Sequence, residues 1–326
     1  MKKLQEILKQ YKVSNLQLSI WQLINTFIPY FILLYLMYLS LSLSYWLTLL
    51  LSFFTAGFFI RIFIIFHDCG HQAFFTSRRS NNFLGFISGI LIFIPSYYWY
   101  HNHAVHHATT GDLDRRGIGD VWTMTIDEYK KCNKWKKILY HFYRNPFILL
   151  IFGPTYYFLI ANRFYHLNSN QRERLSVQIT NLFIIIWICL ISSIISFKSY
   201  FLIQFPVLII AATIGTWLFY VQHQFEGVYW ERHKNWTYID QALKGSSFYK
   251  LPKILQWFTG NIGFHHIHHL SPKIPNYYLE KVHEANEIFK KIKPITFFES
   301  FKSLNFRLWD EKRKKLVSFL FLKEKK

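Results

Sequence analysis

Apolar residues in this chain arrive in long blocks rather than at helical or strand spacing. Residues 23–44 carry no charged side chain and 46–66 carry only Arg61, so each is long enough to cross a bilayer as a helix. A short Ser/Leu/Tyr turn joins them. Residues 181–197 and 200–221 form a second such pair, joined at Lys198–Ser199 and free of Asp, Glu, Lys, Arg and His. Arg61 lies less than two turns before His67, near the end of its span, where it is expected to snorkel to the headgroups. Two stretches of intermediate length, 82–94 and 146–160, are too short to cross easily and are expected to lie in the interface plane. Residues 2–20 and the tail 312–326 mix Lys/Arg with Leu, Ile or Phe and read as basic interfacial helices. The predicted fold is an all-α integral membrane protein, one domain over 1–326. Four transmembrane helices in two hairpins carry a helical cap made of 67–180 and 222–326.

Composition agrees with this picture: 52% of the 326 residues are hydrophobic and 20% aromatic. A net charge of +20 suits nucleic acid or an anionic membrane surface. With spans present the membrane surface is the stronger reading, and no nucleic-acid partner is expected. The turn within the first hairpin has no Lys or Arg while its flanks are basic, which puts both ends of the chain and the cap in the cytoplasm. The first apolar run begins too late, and runs too long, for a cleaved signal peptide. Cys69, Cys132 and Cys189 are scattered, so neither a disulfide framework nor a Cys-x-x-Cys site is implied.

The chemistry lies in the histidines. Most of the fifteen fall in three clusters: His67-Asp68-Cys69-Gly70-His71, His101-Asn102-His103-Ala104-Val105-His106-His107, and His265-His266-Ile267-His268-His269. On a helix His67 and His71 share a face, and His103, His106 and His107 fall within an arc of about 100°, as do His265, His268 and His269. His101 and His266 lie off those arcs. Helix propensity gives no reason for such runs, whereas neutral imidazole is the commonest metal ligand. Eight imidazoles exceed what one zinc takes and suit two metals. There is no His-Glu-x-x-His motif, nor the repeated Glu-x-x-His pairs of soluble di-iron bundles. Imidazole suits iron, copper and zinc alike. An even number of crossings separates the clusters, so all three reach one face, provided that 82–94 and 146–160 do not cross singly. Asp68 is a candidate partner holding an imidazole tautomer, and Asn261, a turn before the third cluster, could orient a ligand. Asp112, Asp114 and Asp120 suit either loop bonds or such a partnership.

These three clusters resemble the histidine boxes of membrane fatty acid desaturases, and the likeness extends to order, spacing and hairpins over nearly the whole chain. His67-Asp68-Cys69-Gly70-His71-Gln72-Ala73-Phe74-Phe75 and the run from Gly111 to Trp122 look like the bacterial acyl-lipid branch. The resemblance implies a di-iron centre, dioxygen as co-substrate, acyl chains of membrane phospholipids as substrate, and a separate ferredoxin or flavodoxin donor. It implies a multi-pass protein of the bacterial inner membrane, with cytoplasmic boxes and with His223 as an added ligand. Within that branch the fifth carbon is favoured as the site of the new bond. An unactivated methylene has no acidic hydrogen, so acid–base chemistry alone cannot desaturate it, and the cofactor must carry that step. Tyr97, Tyr98, Trp99 and Tyr100 suit a tunnel rim or an interfacial aromatic belt. Two rival readings are an acyl hydroxylase on the same scaffold and a metal-binding membrane transporter or sensor. The near absence of ionisable side chains within the spans counts against the second.

Overall fold

The computed structural model describes residues 2–322. In chain order the helices are α1 (Lys2–Lys9), α2 (Leu16–Ser40), α3 (Tyr45–Gly70), α4 (Arg78–Leu91), α5 (Ser96–Thr109), α6 (Ile126–Lys131), α7 (Lys134–Tyr143), α8 (Gly153–Leu159), α9 (Gln171–Ile195), α10 (Phe197–His223), α11 (Tyr238–Lys244), α12 (Lys253–Phe258), α13 (His265–Leu270) and α14 (Asn276–Glu284). Four of them, α2, α3, α9 and α10, are long and apolar enough to cross a membrane. They form the two expected hairpins. The helices outrun the apolar blocks, however: α3 continues to Gly70 and α10 to His223, so each carries a histidine on its final turn. The second hairpin turns at Ser196, not Lys198–Ser199. Ser196 adopts φ +70° and its Oγ caps Ser199, so the new helix starts at Phe197.

Residues 82–91 belong to α4, which packs against α3 and α9 and folds back into α5 at 102°. Phe93 turns with positive φ and Ile94 N donates to Gly89 O at 2.7 Å, making the elbow. Residues 146–160 form a π-helical turn (Ile148–Phe152) followed by α8, which packs on α10. Both stretches return the chain to the end of the bundle that holds the histidines.

Three expectations need correction. Arg61 does not reach outward. It is buried, donates through Nε to Thr26 Oγ1 at 3.0 Å and through Nη1 to Trp257 O, and stacks on the Trp257 ring at 3.9 Å. Because α3 runs nine residues past it, the guanidinium finds polar partners in the protein before it could find headgroups. The N-terminal 2–20 stretch is not one helix, since Asn15 caps a new helix by accepting from Leu18 N, and α1 seats Leu8 in a cluster with Ile64, Ile262 and Ile274. The tail forms no interfacial α-helix over 312–322, only a 3-10 turn at Leu320–Leu322, and 323–326 lie outside the described residues. Two strands, β4 (Leu308–Asp310) and β5 (Lys315–Val317), pair antiparallel around a turn held by Asp310 Oδ1, with β4 also pairing β1 (Met124–Thr125). Leu316 and Val317 are buried there opposite Trp309 and Leu308, with Trp309 packed on Trp230, a burial that a helix lying on the surface would not give them. A second small sheet pairs β2 (Phe248–Lys250) with β3 (Pro294–Thr296), so the cap is mostly, not wholly, helical.

Glycine sets the closest helix contact beside the site. Tyr100 on α5 donates to Phe66 O at 3.0 Å and lies between Gly70 and Gly85, where an added Cβ would come within 2.4 Å of its ring and 2.0 Å of its hydroxyl. Gly85→Ala is therefore expected to destabilise the protein by about 1–3 kcal/mol through overpacking. Tyr100→Phe, which removes the clashing oxygen, should cost less in the Gly85→Ala background than in the native one. Thermal midpoints of the two single variants and the double variant test this; strictly additive losses would remove the explanation.

Candidate metal centre

Four elements deliver histidines to one buried point: the end of α3, the C-terminal half of α5, the last residue of α10, and α13. Two groups can each share an ion. His67, His71, His103, His107 and His268 form the first, and His106, His223 and His269 the second. His265 joins the second through His223, their Nε2 atoms 3.0 Å apart. The helical arc of the middle cluster thus serves two sites rather than one. His103 and His107 face the first, while His106, some 60° around from His103, faces the second. In the same way α13 divides His268 from His269.

Hydrogen bonds at the far ring nitrogen decide what the near one presents. His67 Nδ1 donates to Asp68 Oδ1 at 3.2 Å, His106 Nδ1 to Asp120 Oδ1 at 2.9 Å, and His223 Nδ1 to Gly245 O at 3.4 Å. Each proton so held leaves Nε2 as a bare lone pair. Yet His106 Nε2 and His223 Nε2 lie 3.2 Å apart, and His67 Nε2 is 3.1 Å from His268 Nε2, itself 3.0 Å from His107 Nε2. Two lone pairs at that distance repel unless a cation lies between them. Imidazoles bound about 2.1 Å from a metal, at right angles, have donor atoms about 3 Å apart. His71 Nε2 and both nitrogens of His269 are buried without any hydrogen-bond partner. The donor set fits metal ions.

Burial, and then the neighbouring imidazoles, push His71, His103, His107, His265, His268 and His269 well below the ordinary histidine range. They are held neutral, the form that binds metal. The sign of the linkage follows. The unfolded chain takes up protons below about pH 6.5 while the folded one resists, so this stability is complete above that pH and lost as pH falls below it. Metal-free protein in detergent should show a thermal midpoint that is flat above about pH 7 and falls steeply toward pH 5. A midpoint indifferent to pH across that window would contradict the burial of neutral imidazoles.

The remaining residues singled out in the sequence divide clearly. Asp68 is buried, touches His67, and accepts at Oδ2 from Asn276 N (2.7 Å) and Nδ2 (2.8 Å). Gln22 on α2 donates in turn to Asn276 Oδ1 at 3.0 Å. Asn261 touches no histidine ring; it has φ +58°, donates to Asn276 O and accepts from Gln256. Asp112 and Asp114 tie their loop to Arg115, Arg232 and His233, while Asp120 alone of the three reaches a clustered histidine. His101 pairs with Glu173 on α9, and His266 rests beside Phe248, Phe289 and His283. Trp99 stacks on His103 at 4.4 Å, so it walls the centre. Asn276 and Gln22 escaped notice in the sequence. They lie 254 positions apart, and no local spacing links either to Asp68. Beside the second group a cavity of about 320 Å³ reaches His223 and Asp120 between Leu113, Trp122, Phe219 and Trp230.

Comparison with known proteins agrees with this geometry. The fatty acid desaturase family profile matches residues 15–298. A Bacillus subtilis (strain 168) fatty acid desaturase is 52% identical over 305 residues, covering 94% of this chain and 87% of that one. The sn-1 acyl-lipid omega-3 desaturases (ferredoxin) of Nostoc and Synechocystis are 25% and 26% identical. Each of these two matches covers 73% of this chain and 65% of the relative. With four membrane-length helices, a histidine centre of this composition and a family match over most of its length, the chain belongs to the fatty acid desaturase family.

Proposed function

We infer that the protein introduces a cis double bond into acyl chains of membrane phospholipids, using dioxygen and two electrons from a ferredoxin- or flavodoxin-type carrier. Two iron ions would be held by His67, His71, His103, His107 and His268 on one side and by His106, His223, His265 and His269 on the other. When bound, they supply the oxidising power that removes hydrogen from two adjacent methylenes, the oxygen leaving as water. The observation that carries this reading is the set of facing Nε2 atoms 3.0–3.2 Å apart, the His106 and His223 pair both bare, in a family whose members are desaturases.

The chain's own residues prepare the site. Asp68 and Asp120 orient His67 and His106 and fix their tautomers. Trp99 covers His103, and the buried imidazole cluster keeps the centre dry. The cavity beside His223 has an apolar side of Leu113, Trp122, Phe219 and Trp230 and a polar one that includes Asp112, Arg116, Asp120 and Gln224, which gives access to the second group. The even number of crossings and the basic flanks support a centre on the cytoplasmic side of a bacterial inner membrane.

Expression in a host lacking the activity, with mass spectrometry of its phospholipids, tests the proposal. The expected result is unsaturated chains, the bond at the fifth carbon. Hydroxylated chains would assign the centre to oxygen insertion instead, and unchanged lipids from a metal-loaded protein supplied with a reduced donor would overturn the reading.

A further inference from the structure

Helix α7 offers a surface that the metal centre does not explain. Its inward side is anchored: Tyr140 is fully buried, accepts from Met124 N at 3.1 Å and donates to Arg307 O, and Tyr143 Oη accepts from Trp122 N at 3.2 Å. Its outward side is apolar. Trp135, Ile138, Leu139 and Phe142 fall within an arc of about 100°, and all four are exposed, Trp135 to 79%. A water-facing helix would not present four large apolar side chains in one stripe. Lys134 and Lys136 flank the stripe on its two sides, with Lys130 and Lys131 close by on α6. Among the described residues none of these four lysines pairs with a carboxylate.

The stripe is also continuous with the lipid-facing surface. After α7 the chain exposes Phe147, Phe152 and Tyr156 before α8 packs on the membrane-length helix α10. We propose that α7 lies in the headgroup plane of the bilayer, with Trp135, Ile138, Leu139 and Phe142 inserted among acyl chains and Lys134 and Lys136 on anionic phospholipid phosphates. Such a helix with an apolar stripe between basic edges partitions into that layer, and its lysine stems reach outward to the phosphates. Seating α7 also sets a height for the centre. Arg144, the next residue, is buried and donates to Tyr220 Oη (3.1 Å) and Gln224 Oε1 (3.3 Å), which flank His223 at the end of α10.

Nitroxide labels test this on the full-length protein in lipid nanodiscs. They would be placed at Trp135→Cys and Leu139→Cys on the stripe and at His141→Cys off it. Cys132 and Cys189 would be changed to serine, while Cys69 is buried and left in place. Labels at 135 and 139 should be relaxed more by oxygen, which concentrates in the bilayer, than by a water-soluble nickel chelate; the label at 141 should show the reverse. Lys134→Gln with Lys136→Gln should lower the oxygen-to-nickel ratio at 135 in phosphatidylglycerol discs and leave it unchanged in phosphatidylcholine discs. Nickel-dominated relaxation at 135 and 139 overturns the insertion. Protection that appears only on adding a reduced ferredoxin overturns it in favour of an acidic protein, and a ratio untouched by the lysine changes overturns the phosphate contact. The measurement needs neither bound metal nor turnover, so it stands or fails apart from the desaturase assignment.

Discussion

His268→Ala is expected to abolish metal retention in the first histidine group and to cut desaturation by at least about 100-fold, more than the loss typical of an outer partner. His268 is the hub of that group. Its Nε2 lies 3.1 Å from that of His67 and 3.0 Å from that of His107, bringing α13 to the ends of α3 and α5. Alanine removes the one donor that α13 adds to a group whose other four come from α3 and α5 and the cap of α3. The measurement is metal content per chain by mass spectrometry beside acyl-chain analysis. His101→Ala is the control, because its ring pairs with Glu173 away from the cluster and activity should fall only a few-fold. A His268→Ala protein with native metal content and product would sink the ligand assignment.

Asp68→Asn should be nearly as damaging, although it changes almost no volume. The carboxylate takes one proton from His67 Nδ1 on Oδ1 and two from Asn276 on Oδ2. An amide has one acceptor oxygen, so in either orientation its NH2 must face a donor. One way round it meets His67 and frees the wrong tautomer; the other way it meets Asn276 and leaves buried N–H groups unpaired. Loss of an outer partner typically costs 10–100-fold in metal affinity, and the unpaired donors cost about 1–3 kcal/mol of stability. A chelator titration reads the first and the thermal midpoint of metal-free protein the second. Asp120→Asn provides the comparison. Its carboxylate touches His106 but is partly open to solvent, so water can repair the loss and both effects should be smaller. Equal behaviour of the two variants would mean that the buried Asn276 network contributes nothing.

Much of the site was legible along the chain, for a physical reason. Ligands on one helix must recur at i, i+3 and i+4, so the three boxes declare themselves through spacing alone. The hairpins are equally plain, because a membrane-length block needs some twenty apolar residues in a row. Where helices end was less plain. Hydropathy sees only the apolar block, whereas α3 and α10 run on past theirs to carry His67 and His223, with His71 capping α3. Arg61 misled for the same reason: its partners Thr26 and Trp257 come from distant segments. The tail misled because its mixed basic and apolar residues suit an interfacial helix, whereas burial of Leu316 and Val317, paired opposite Trp309 and Leu308, selects a strand.

By itself, then, the sequence determined four membrane-length helices, a shared end for three histidine boxes, and a donor set rich enough for two metals. Only the tertiary structure decided how those histidines divide. His103 and His107 part from His106, and His268 from His269, because α5 and α13 are wedged between two sets of partners. It also decided which carboxylates matter. Asp68 and Asp120 bond clustered imidazoles while Asp112 and Asp114 hold a loop, and Asn276 and Gln22 join the centre from opposite ends of the chain. Local spacing encodes which side chains share a helix face, but which of those faces meet is set by packing between segments hundreds of residues apart.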